Sequence, residues 1–587
     1  MNTFPLVRAK WSNEHVMAAL FGVLLLYMLP SWVHSPSGIL GFSAVLAFAL
    51  VLDTAVNVIR FKRPVCAVSA SVTAGIYYIL TPGVPLWGQL LGVGAALLLG
   101  KHIWGGTGKN PVNPAMVGLV LAGILFKIQD PVFTPSLLLL PALILSIPFI
   151  RFRPFAACGF IAGMIAALIF KQEFGFDAFL VFGGIFWGCL VLTDPVTITG
   201  NPAVGAVGGI LTGFLTLQFS ESVIAMAVGV VLFNVISAAA ERFLERTNSK
   251  LFPKAKINKL VTFKKGNTPF VDLTGKEYRK AEDVSSLSRE EVLKRIEANE
   301  VFGLGGAAFP TIGKIKTVLA AEVPQRHLII NGVECDPGLV HDVWLMQRHM
   351  KEICTGIDLL KKCIQFESVS LAVKESTEHS CPAEVKISRV PDYYPIGAER
   401  ILIRQVLGKE VPQNEIPAKL GVLVLNVQTV YAIFEAVSKN QKADSRFITV
   451  TNLKEKNMCV ARVSFGANIQ KILDDLGMKT GNAFAGGGAM QCRNIDDSDV
   501  IDKTVNFIAL GDFPRYKESP LCSKCGFCKT NCPAGIRVER IAELAELGDF
   551  KEAKIYSPEK CIQCGNCSRI CLAGRNLAAR VKAAKTA

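Results

Sequence analysis

The chain has 587 residues, of which 51% are hydrophobic, with 17 cysteines and a formal net charge of +15. A chain of this length predicts several domains rather than one. The positive charge does not indicate a nucleic-acid-binding protein, because the basic residues of the first half lie where membrane topology requires them. Long apolar runs fill residues 15–240, whereas the sequence from residue 245 onward has the composition of a water-soluble protein.

Residues 1–245 are predicted to form a polytopic α-helical membrane bundle. About ten apolar segments approach the length that a bilayer requires, and the first is too long to be a cleaved signal peptide. These segments are 15–33, 39–58, 65–82, 86–103, 112–126, 134–150, 155–170, 178–193, 203–219 and 222–240.

Basic residues occupy alternate loops or ends of the predicted spans. They are Arg8, Lys10, Arg60, Lys62, Arg63, Lys101, Lys109, Arg151, Arg153, Arg242 and Arg246. The other loops hold only Lys127 and Lys171, each with acidic neighbours. This asymmetry predicts a multi-pass membrane protein with the N-terminus and the soluble half in the cytoplasm.

Two loops at the cytoplasmic ends of predicted spans are rich in Gly, Pro and Asn. They read KHIWGGTGKNPVNPAMVG at 101–118 and LTDPVTITGNPAVGA at 192–206. Such backbone is tolerated at membrane depth only when it is buried in protein or lines a cavity. The shared core, Asn113-Pro114-Ala115 and Asn201-Pro202-Ala203, indicates an internal repeat. A pair of tight turns and an ion or cofactor site between half-helices are the two interpretations.

The motifs GGTGKNPVNPAMVG and TDPVT make residues 15–245 resemble the D subunit of the Rnf complex and the B subunit of the sodium-pumping NADH:quinone reductase. The resemblance implies FMN on a threonine in a Ser-Gly-Ala-Thr-like sequence, which this chain lacks. The nearest signal is DPVTITG, in which Thr197 and Thr199 are the candidate threonines, and the loop KQEFGFD at 171–177 stands where the attachment is expected. Covalent FMN is therefore not expected in the membrane half, while a non-covalent flavin or a quinone stays open.

Residues 246–265 are predicted to be a basic linker. The lysines of this stretch are Lys250, Lys254, Lys256, Lys259, Lys264 and Lys265. Close to a membrane, such a run attracts anionic lipid headgroups by about 1 kcal/mol per charge. A solvated surface is the alternative interpretation.

Residues 266–445 are predicted to be an α/β domain with a ligand at one sheet edge. The stretch VFGLGGAAFPTIGKIK at 301–316 is rich in glycines, which let a backbone approach a phosphate, although a plain turn is the alternative. The apolar stretch LIINGVECDPGLVHDVWLM at 328–346 ends in polar residues, as strands of α/β sheets commonly do at a site.

These two stretches, with YYPIGAERILIRQVLGKEVP at 393–412 and GVLVLNVQTVYAIFEAV at 421–437, resemble the C subunit of the Rnf complex and, more distantly, the flavin- and NADH-binding subunit of respiratory complex I. The resemblance implies an FMN/NADH-binding domain with these FMN contacts: Gly303, Gly305, Gly306, Lys314, Asn331, Glu334 and Asn426. It implies these contacts where NADH approaches: Phe309, Asp336 and Glu399. Val333 and Ala398 replace acidic residues of the complex I pattern, which leaves NAD(H) binding open and makes an empty site the alternative.

Residues 446–515 resemble the β-grasp-like (SLBB-type) domain that follows the flavin domain in the same families. The resemblance rests on ARVSFGANIQKILDDLG at 461–477 and AGGGAMQ at 485–491. The glycines of the second stretch are expected to be structural.

Residues 516–587 are predicted to be an α-helical ferredoxin domain with two clusters. The runs Cys522-x2-Cys525-x2-Cys528-x3-Cys532 and Cys561-x2-Cys564-x2-Cys567-x3-Cys571 match the bacterial two-cluster signature, in which each fourth cysteine ligates the other cluster. One 4Fe–4S cluster is expected on Cys522, Cys525, Cys528 and Cys571, and the other on Cys561, Cys564, Cys567 and Cys532. Zinc is the alternative that this spacing disfavours. The stretch RVERIAELAELGDFKEA between the runs predicts two short helices.

The resemblances imply a natural fusion of membrane and redox halves. Electrons would pass among a soluble carrier (NADH or ferredoxin), FMN, two 4Fe–4S clusters and a membrane partner, coupled to Na⁺ or H⁺ movement with other Rnf-like subunits. No catalytic acid or base is expected, because hydride transfer to a flavin needs orientation rather than proton transfer. A non-pumping module that serves a quinone or a partner reductase is one alternative. A transporter with a regulatory soluble half is another, which eight clustered cysteines disfavour.

Overall fold

The computed structural model describes residues 5, 12–62, 68–128, 139–171, 184–198, 200–219, 222–244, 268–306, 308–377, 385–412, 415–478, 482–511, 518–519 and 522–587. The basic linker, Thr199 and all of the loop 171–177 except Lys171 lie outside these residues, and so do Arg8, Lys10 and Arg63 of the topology argument.

Ten α-helices of the described N-terminal residues follow the order of the ten predicted spans. They are α1 (Asn13–His34), α2 (Ser37–Phe61), α3 (Val68–Ile79), α4 (Leu86–Leu97), α5 (Pro114–Leu125), α6 (Leu140–Ser146), α7 (Pro154–Lys171), α8 (Gly184–Phe186), α9 (Pro202–Phe219) and α10 (Val223–Leu244). Among the residues that the structure describes, four apolar helical stretches are long enough to cross a membrane: Asn13–His34, Ser37–Arg60, Pro154–Lys171 and Val223–Ala240. The number of spans stays a prediction.

Small residues let α7 and α9 approach closely. A Cβ on Gly163 would lie 2.1 Å from the carbonyl oxygen of Ile210, and one on Gly213 would lie 2.2 Å from that of Phe160. Lipid tails supply no hydrophobic drive between helices, so membrane helices associate through such close backbone contacts. Large apolar side chains instead point outward, as Leu40 and Ile59 do.

The two Asn-Pro-Ala sequences occupy equivalent places in the bundle. A turn of π-helix precedes each loop, at Leu98–His102 and at Trp187–Val191. The Asn113 side chain then caps α5 by accepting from the Ala115 N–H at 3.0 Å, and Asn201 does the same for Ala203 at 3.0 Å at the start of α9. The repeated order of π-turn, loop and capped helix supports the predicted internal repeat.

A four-stranded parallel sheet forms the core of the first soluble domain. Its strands are β2 (His327–Asn331), β3 (Ser368–Lys374), β4 (Lys386–Val390) and β5 (Val422–Asn426), in the order β4-β3-β2-β5. The surrounding helices are α11 (Arg289–Ala298), α12 (Thr311–Ala320), α13 (His341–Arg348), α14 (Met350–Cys363), α15 (Glu399–Leu407) and α16 (Val427–Ser438). Strand β2 is buried on both faces, as its continuous apolar run requires in a parallel sheet.

A six-stranded mixed sheet forms the second soluble domain. Its elements are β1 (Phe270–Asp272), β6 (Ser445–Asn452), β7 (Asn457–Ser464), α17 (Ile469–Asp475), β8 (Ala483–Gly486), β9 (Cys492–Asn494) and β10 (Phe507–Leu510). The strand order is β1-β7-β6-β10-β8-β9. Strand β1 lies at the start of the segment predicted to bind FMN, yet it pairs in parallel with β7. The chain therefore enters the second sheet before it builds the first.

The C-terminal domain is helical. Its helices are α18 (Phe527–Thr530), α19 (Val538–Glu546), α20 (Phe550–Lys554), α21 (Asn566–Ile570) and α22 (Leu577–Thr586). Helices α19 and α20 confirm the two short helices predicted between the cysteine runs. Ile536, Ile541 and Val581 are fully buried in the core that the two runs share.

Candidate functional site

The Gly-rich loop lies over the carboxyl end of β5. Its Gly303 N–H donates to the Phe309 carbonyl at 2.8 Å, and its Leu304 N–H donates to the Thr429 hydroxyl at 2.9 Å. Gly306 has φ +113°, a conformation that favours glycine. A Cβ on Gly305 would lie 3.2 Å from the Asn426 Cβ. The gap between the Gly-rich loop and Asn426 is therefore so narrow that a side chain at position 305 would fill it.

Asn331 and Asn426 stand side by side at this edge, because β2 and β5 pair in parallel with these two residues in register. The Asn331 amide donates to the Gly397 carbonyl at 2.9 Å. The Asn426 amide donates to the Asp342 carboxylate at 2.7 Å. The structure thus brings together the loop and both asparagines that the resemblance implied.

Lys314 and Glu399 form an ion pair at the mouth of this edge, with Nζ and Oε1 separated by 3.0 Å. Phe309 is 50% exposed, and its ring lies 3.1 Å from the position of a Cβ on Gly313, the residue before Lys314. The Lys314 cation and the Gly-rich loop suit a phosphate, and the exposed ring of Phe309 suits a planar ring. The residues therefore fit FMN.

Asp336 and Glu334 are both engaged with the backbone. Asp336 accepts from the N–H groups of Ala489 at 2.8 Å, Met490 at 3.1 Å and Gly338 at 2.9 Å, which ties the first soluble domain to the AGGGAMQ loop. Glu334 accepts from the Asp342 N–H at 2.9 Å. A Cβ on Gly488 would lie 2.4 Å from Asp336 Oδ2, so this glycine is needed for the contact.

A buried polar cluster that was not predicted from the sequence lies beneath the site. Arg446 of β6 donates to the Leu304 carbonyl at 2.8 Å and also to Asn506, so the second domain supports the Gly-rich loop. Burial lowers the pKa of Arg446 to about 10 and that of His341 to about 3, and it raises the pKa of Asp342 to about 6. The sequence signal was weak, because these residues lie far apart along the chain.

The two cysteine runs fold alike. Lys524 and Gln563 have positive φ values of 47° and 56°, and they precede Gly526 and Gly565, with φ 78° and 73°. This backbone turns main-chain N–H groups toward sulfur: Lys524 N lies 3.4 Å from Cys522 Sγ, and Gln563 N lies 3.4 Å from Cys561 Sγ. Such N–H groups stabilise thiolate charge at a cluster.

The structure brings the eight cysteines together in two groups, each drawing its fourth member from the other run. Burial raises the pKa of Cys528, and the charges of neighbouring thiols raise it further. The same two causes raise the pKa of Cys567. The first group is Cys522, Cys525, Cys528 and Cys571. The second group is Cys532, Cys561, Cys564 and Cys567. Four partly or fully buried cysteines, with N–H donors beside Cys522 and Cys561, fit a 4Fe–4S cluster in each group.

The second cysteine group contacts both soluble domains. The Tyr394 hydroxyl donates to the Cys564 carbonyl at 2.7 Å, and the Gln491 amide donates to the Gln563 carbonyl. Ile562 packs against the apolar cluster that contains Val333.

The first cysteine group contacts the membrane region. The rings of Phe152 and Phe527 stack with centroids 5.6 Å apart, and the Asn13 N–H donates to the Leu572 carbonyl at 2.9 Å. A Cβ on Gly108 would lie 1.5 Å from the Cys522 carbonyl oxygen. The two groups therefore sit at different interfaces of the same small domain.

A cavity of about 100 Å³ lies at this second interface. Both Asn-Pro-Ala loops and the first cysteine group line it, through residues that include Asn110, Asn113, Asp194 and Cys525. Lys101 also lines it and donates to the buried Asp53 carboxylate at 2.7 Å, and the Asp53–His102 distance is 2.8 Å. A buried ionic cluster thus adjoins the cavity, while Thr197 donates to Asp194 at 2.9 Å.

Three known families match successive parts of the chain. The NQR2, RnfD, RnfE family matches residues 1–135, the Nuo51 FMN-binding domain matches 296–435, and the 4Fe-4S dicluster domain matches 515–573. The FMN-binding and iron–sulfur domains confirm those predicted cofactor classes. Together with the four long apolar helices, the first match marks a membrane protein.

Curated relatives are named as the C subunit of an ion-translocating oxidoreductase complex. The Haemophilus influenzae protein is 32% identical over 291 residues, 47% of this chain and 35% of the relative. The Rhodobacter capsulatus protein is 30% identical over 280 residues, 45% of this chain and 53% of the relative. The chain therefore spans about half the length of these relatives or less.

Among solved structures, an NAD⁺-reducing [NiFe]-hydrogenase is similar with a TM-score of 0.38 and 16% identity, over 51% of this chain and 66% of that one.

The family matches and the named relatives confirm the predicted resemblance of each half. This chain joins, in one polypeptide, a membrane region similar to the NQR2, RnfD, RnfE family and a redox half similar to the C subunit of ion-translocating oxidoreductase complexes.

Proposed function

We propose that the protein is a membrane-bound oxidoreductase subunit that passes electrons between a soluble carrier, NADH or ferredoxin, and a membrane partner. The observation that carries the proposal is the position of the two cysteine groups. One lies against the candidate flavin site through Tyr394, and the other lies against the bundle through Phe152 and Gly108. This order supports a route from the flavin site through the second group to the first and then to the cavity.

FMN is proposed to bind non-covalently in the soluble half. A bound flavin takes two electrons as a hydride and releases them singly, as iron–sulfur clusters require. Gly303, Gly305 and Gly306 would bring the backbone to the phosphate, with Lys314 supplying charge. Asn331, Asn426 and Glu334 would hold the ring from the sheet edge. Phe309 and Glu399 are proposed for NADH, as is Asp336, which the structure engages in the contact with the AGGGAMQ loop.

Each cysteine group is proposed to hold one 4Fe–4S cluster. The test is iron content and low-temperature EPR of Cys571→Ala and Cys532→Ala variants. Because each fourth ligand comes from the other run, Cys571→Ala should remove the cluster next to the membrane region and Cys532→Ala the one next to the flavin site. Cys158→Ala, an exposed cysteine of the bundle, is the control. Loss of the cluster of the mutated run itself would contradict this assignment.

The cavity is proposed to be where electrons leave, to a quinone or to a carrier of another Rnf-like subunit. The buried cluster of Asp53, Lys101 and His102 beside it favours coupling to Na⁺ or H⁺ movement, because ionisable residues within a membrane commonly mark ion or proton pathways. The sequence favours the non-pumping alternative in one respect, since it lacks the usual flavin attachment. Ion uptake by proteoliposomes during quinone reduction distinguishes the two.

The redox half is proposed to lie in the cytoplasm beneath the bacterial inner membrane, and the basic linker is proposed to lie near anionic lipid. The alternation of basic loops supports this orientation. Protease added to sealed inside-out vesicles should remove the soluble half, whereas it should not do so in right-side-out vesicles. The transporter alternative predicts transport without reducible flavin or iron.

A further inference from the structure

Arg153 lies where the membrane region meets the first cysteine group, and it is only 8% exposed. Within the bundle its guanidinium donates to the carbonyls of Ile198 at 2.6 Å and Phe152 at 2.8 Å, and also to that of Pro195. Across the interface it donates to the carbonyls of Lys524 at 3.3 Å and Cys525 at 3.4 Å. One buried cation thus joins the loop after Asp194 to the loop that carries two of the four cysteines.

We propose that Arg153 is a positioning residue for the cluster of the first cysteine group. It holds the Cys522–Cys525 loop against the cavity and stabilises the reduced form of that cluster. The inference rests on the proposed function, in which the cluster of this group is the last electron carrier before the cavity.

The burial of Arg153 makes its charge effective at the nearby cluster. Reduction adds one electron, and so one negative charge, to a cluster. A buried cation beside the ligand loop stabilises that charge, because salt and water screen it little. Arginine suits the place, since its planar fork keeps its charge and can donate to several carbonyls at once.

Other charges near this group do not replace Arg153. Arg575 lies close to Cys522 and Cys571 but pairs with Glu546 of the same domain. Asp194 interacts electrostatically with Arg153.

The test is a redox titration of the purified full-length protein, poised with dithionite and mediators and followed by low-temperature EPR of both clusters. Arg153→Gln is expected to lower the equilibrium constant for reduction of the cluster of the first cysteine group by about tenfold. This corresponds to a shift of about 59 mV to more negative potential for one electron. The other cluster is the internal control. Arg151→Gln removes the same charge from an exposed neighbour and should shift neither cluster.

Amide hydrogen exchange of residues 522–528 gives the second readout. Arg153→Lys keeps the positive charge but not the planar guanidinium that donates to several carbonyls. It should therefore speed amide exchange in residues 522–528, while the reduction potential of the cluster stays close to that of the unsubstituted protein. An equal shift of both clusters, no shift, or an equal effect of Arg151→Gln overturns the proposal. If Arg153→Gln does not fold, unchanged exchange in Arg153→Lys overturns it. Because mediators set the potential, a protein that neither carrier reduces would refute the proposed function without affecting this test.

Discussion

The Tyr394 hydroxyl donates a 2.7 Å hydrogen bond to the carbonyl of Cys564, which joins the flavin-type domain to the second cysteine group. Burial raises the pKa of Tyr394 well above its usual value, so this hydroxyl stays a donor throughout the working pH range. The contact lies between the two sites that exchange electrons in the proposed route. Its removal should therefore affect transfer more than it affects either site alone.

Tyr394→Phe is expected to leave the Cys564 carbonyl without this partner and to weaken the contact by about 1 kcal/mol. Amide exchange in residues 561–567 should then rise about fivefold. Tyr393→Phe is the control, because the same group is removed from the preceding, half-buried residue. Equal exchange in the two variants would contradict the role given to Tyr394.

Gly108→Ala is expected to separate the cysteine domain from the bundle. The added Cβ would lie 1.5 Å from the Cys522 carbonyl, and the backbone has φ +86°. The soluble carrier, NADH or ferredoxin, should still reduce the flavin and the clusters. Electrons should no longer reach a water-soluble quinone analogue, as steady-state quinone reduction would measure.

Gly106→Ala is the matched control for this substitution. Its φ of +91° imposes the same backbone strain, yet its Cβ meets only the end of the Arg60 side chain at 3.0 Å. It should keep most quinone reduction. Equal loss in both variants would mean that strain in the loop, and not the contact with Cys522, controls the reaction.

Thr429→Val is expected to weaken FMN binding about tenfold or more. The fully buried Thr429 hydroxyl accepts from the Leu304 N–H at 2.9 Å, and losing a partner of a buried N–H costs about 1–3 kcal/mol. Flavin released during dilution measures the effect. Thr355→Val on α14, where the hydroxyl donates to the Lys351 carbonyl of its own helix, should leave flavin retention unchanged.

His341 and Asp342 are expected to have opposite effects on stability in acid. The pKa of His341 is lowered to about 3, so its contribution is full above about pH 6.5 and is lost as the pH falls. The pKa of Asp342 is raised to about 6, so its contribution is full below about pH 4 and is lost as the pH rises through 6. Between about pH 4 and 6 the two effects oppose each other.

Single variants separate the two groups. Relative to the unsubstituted protein, His341→Asn should become more stable as the pH falls from 6 to 4, and Asp342→Asn should become less stable. Thermal unfolding of the soluble half across this range measures both. Parallel profiles for the two variants would contradict the assignment.

Local spacing was enough to predict the cysteine runs, the internal repeat of the two Asn-Pro-Ala loops and the Gly-rich loop, because each depends on residues close together in the chain. Arg153, Tyr394 and Arg446 could not be found in this way. Their partners lie 371, 170 and 142 residues away, and the contacts exist only after whole domains meet. Strand β1 joined the second sheet for the same reason, since a three-residue strand carries little pattern of its own.

The most direct test of the proposed route is an anaerobic titration of the iron- and flavin-replete protein with NADH and, separately, with reduced ferredoxin. Absorbance reports the flavin and the clusters, and EPR distinguishes the two clusters. The proposed route predicts that at least one carrier bleaches the flavin band and reduces both clusters, and that Gly108→Ala preserves this reduction while blocking onward transfer to quinone. A replete protein that neither carrier reduces would contradict it.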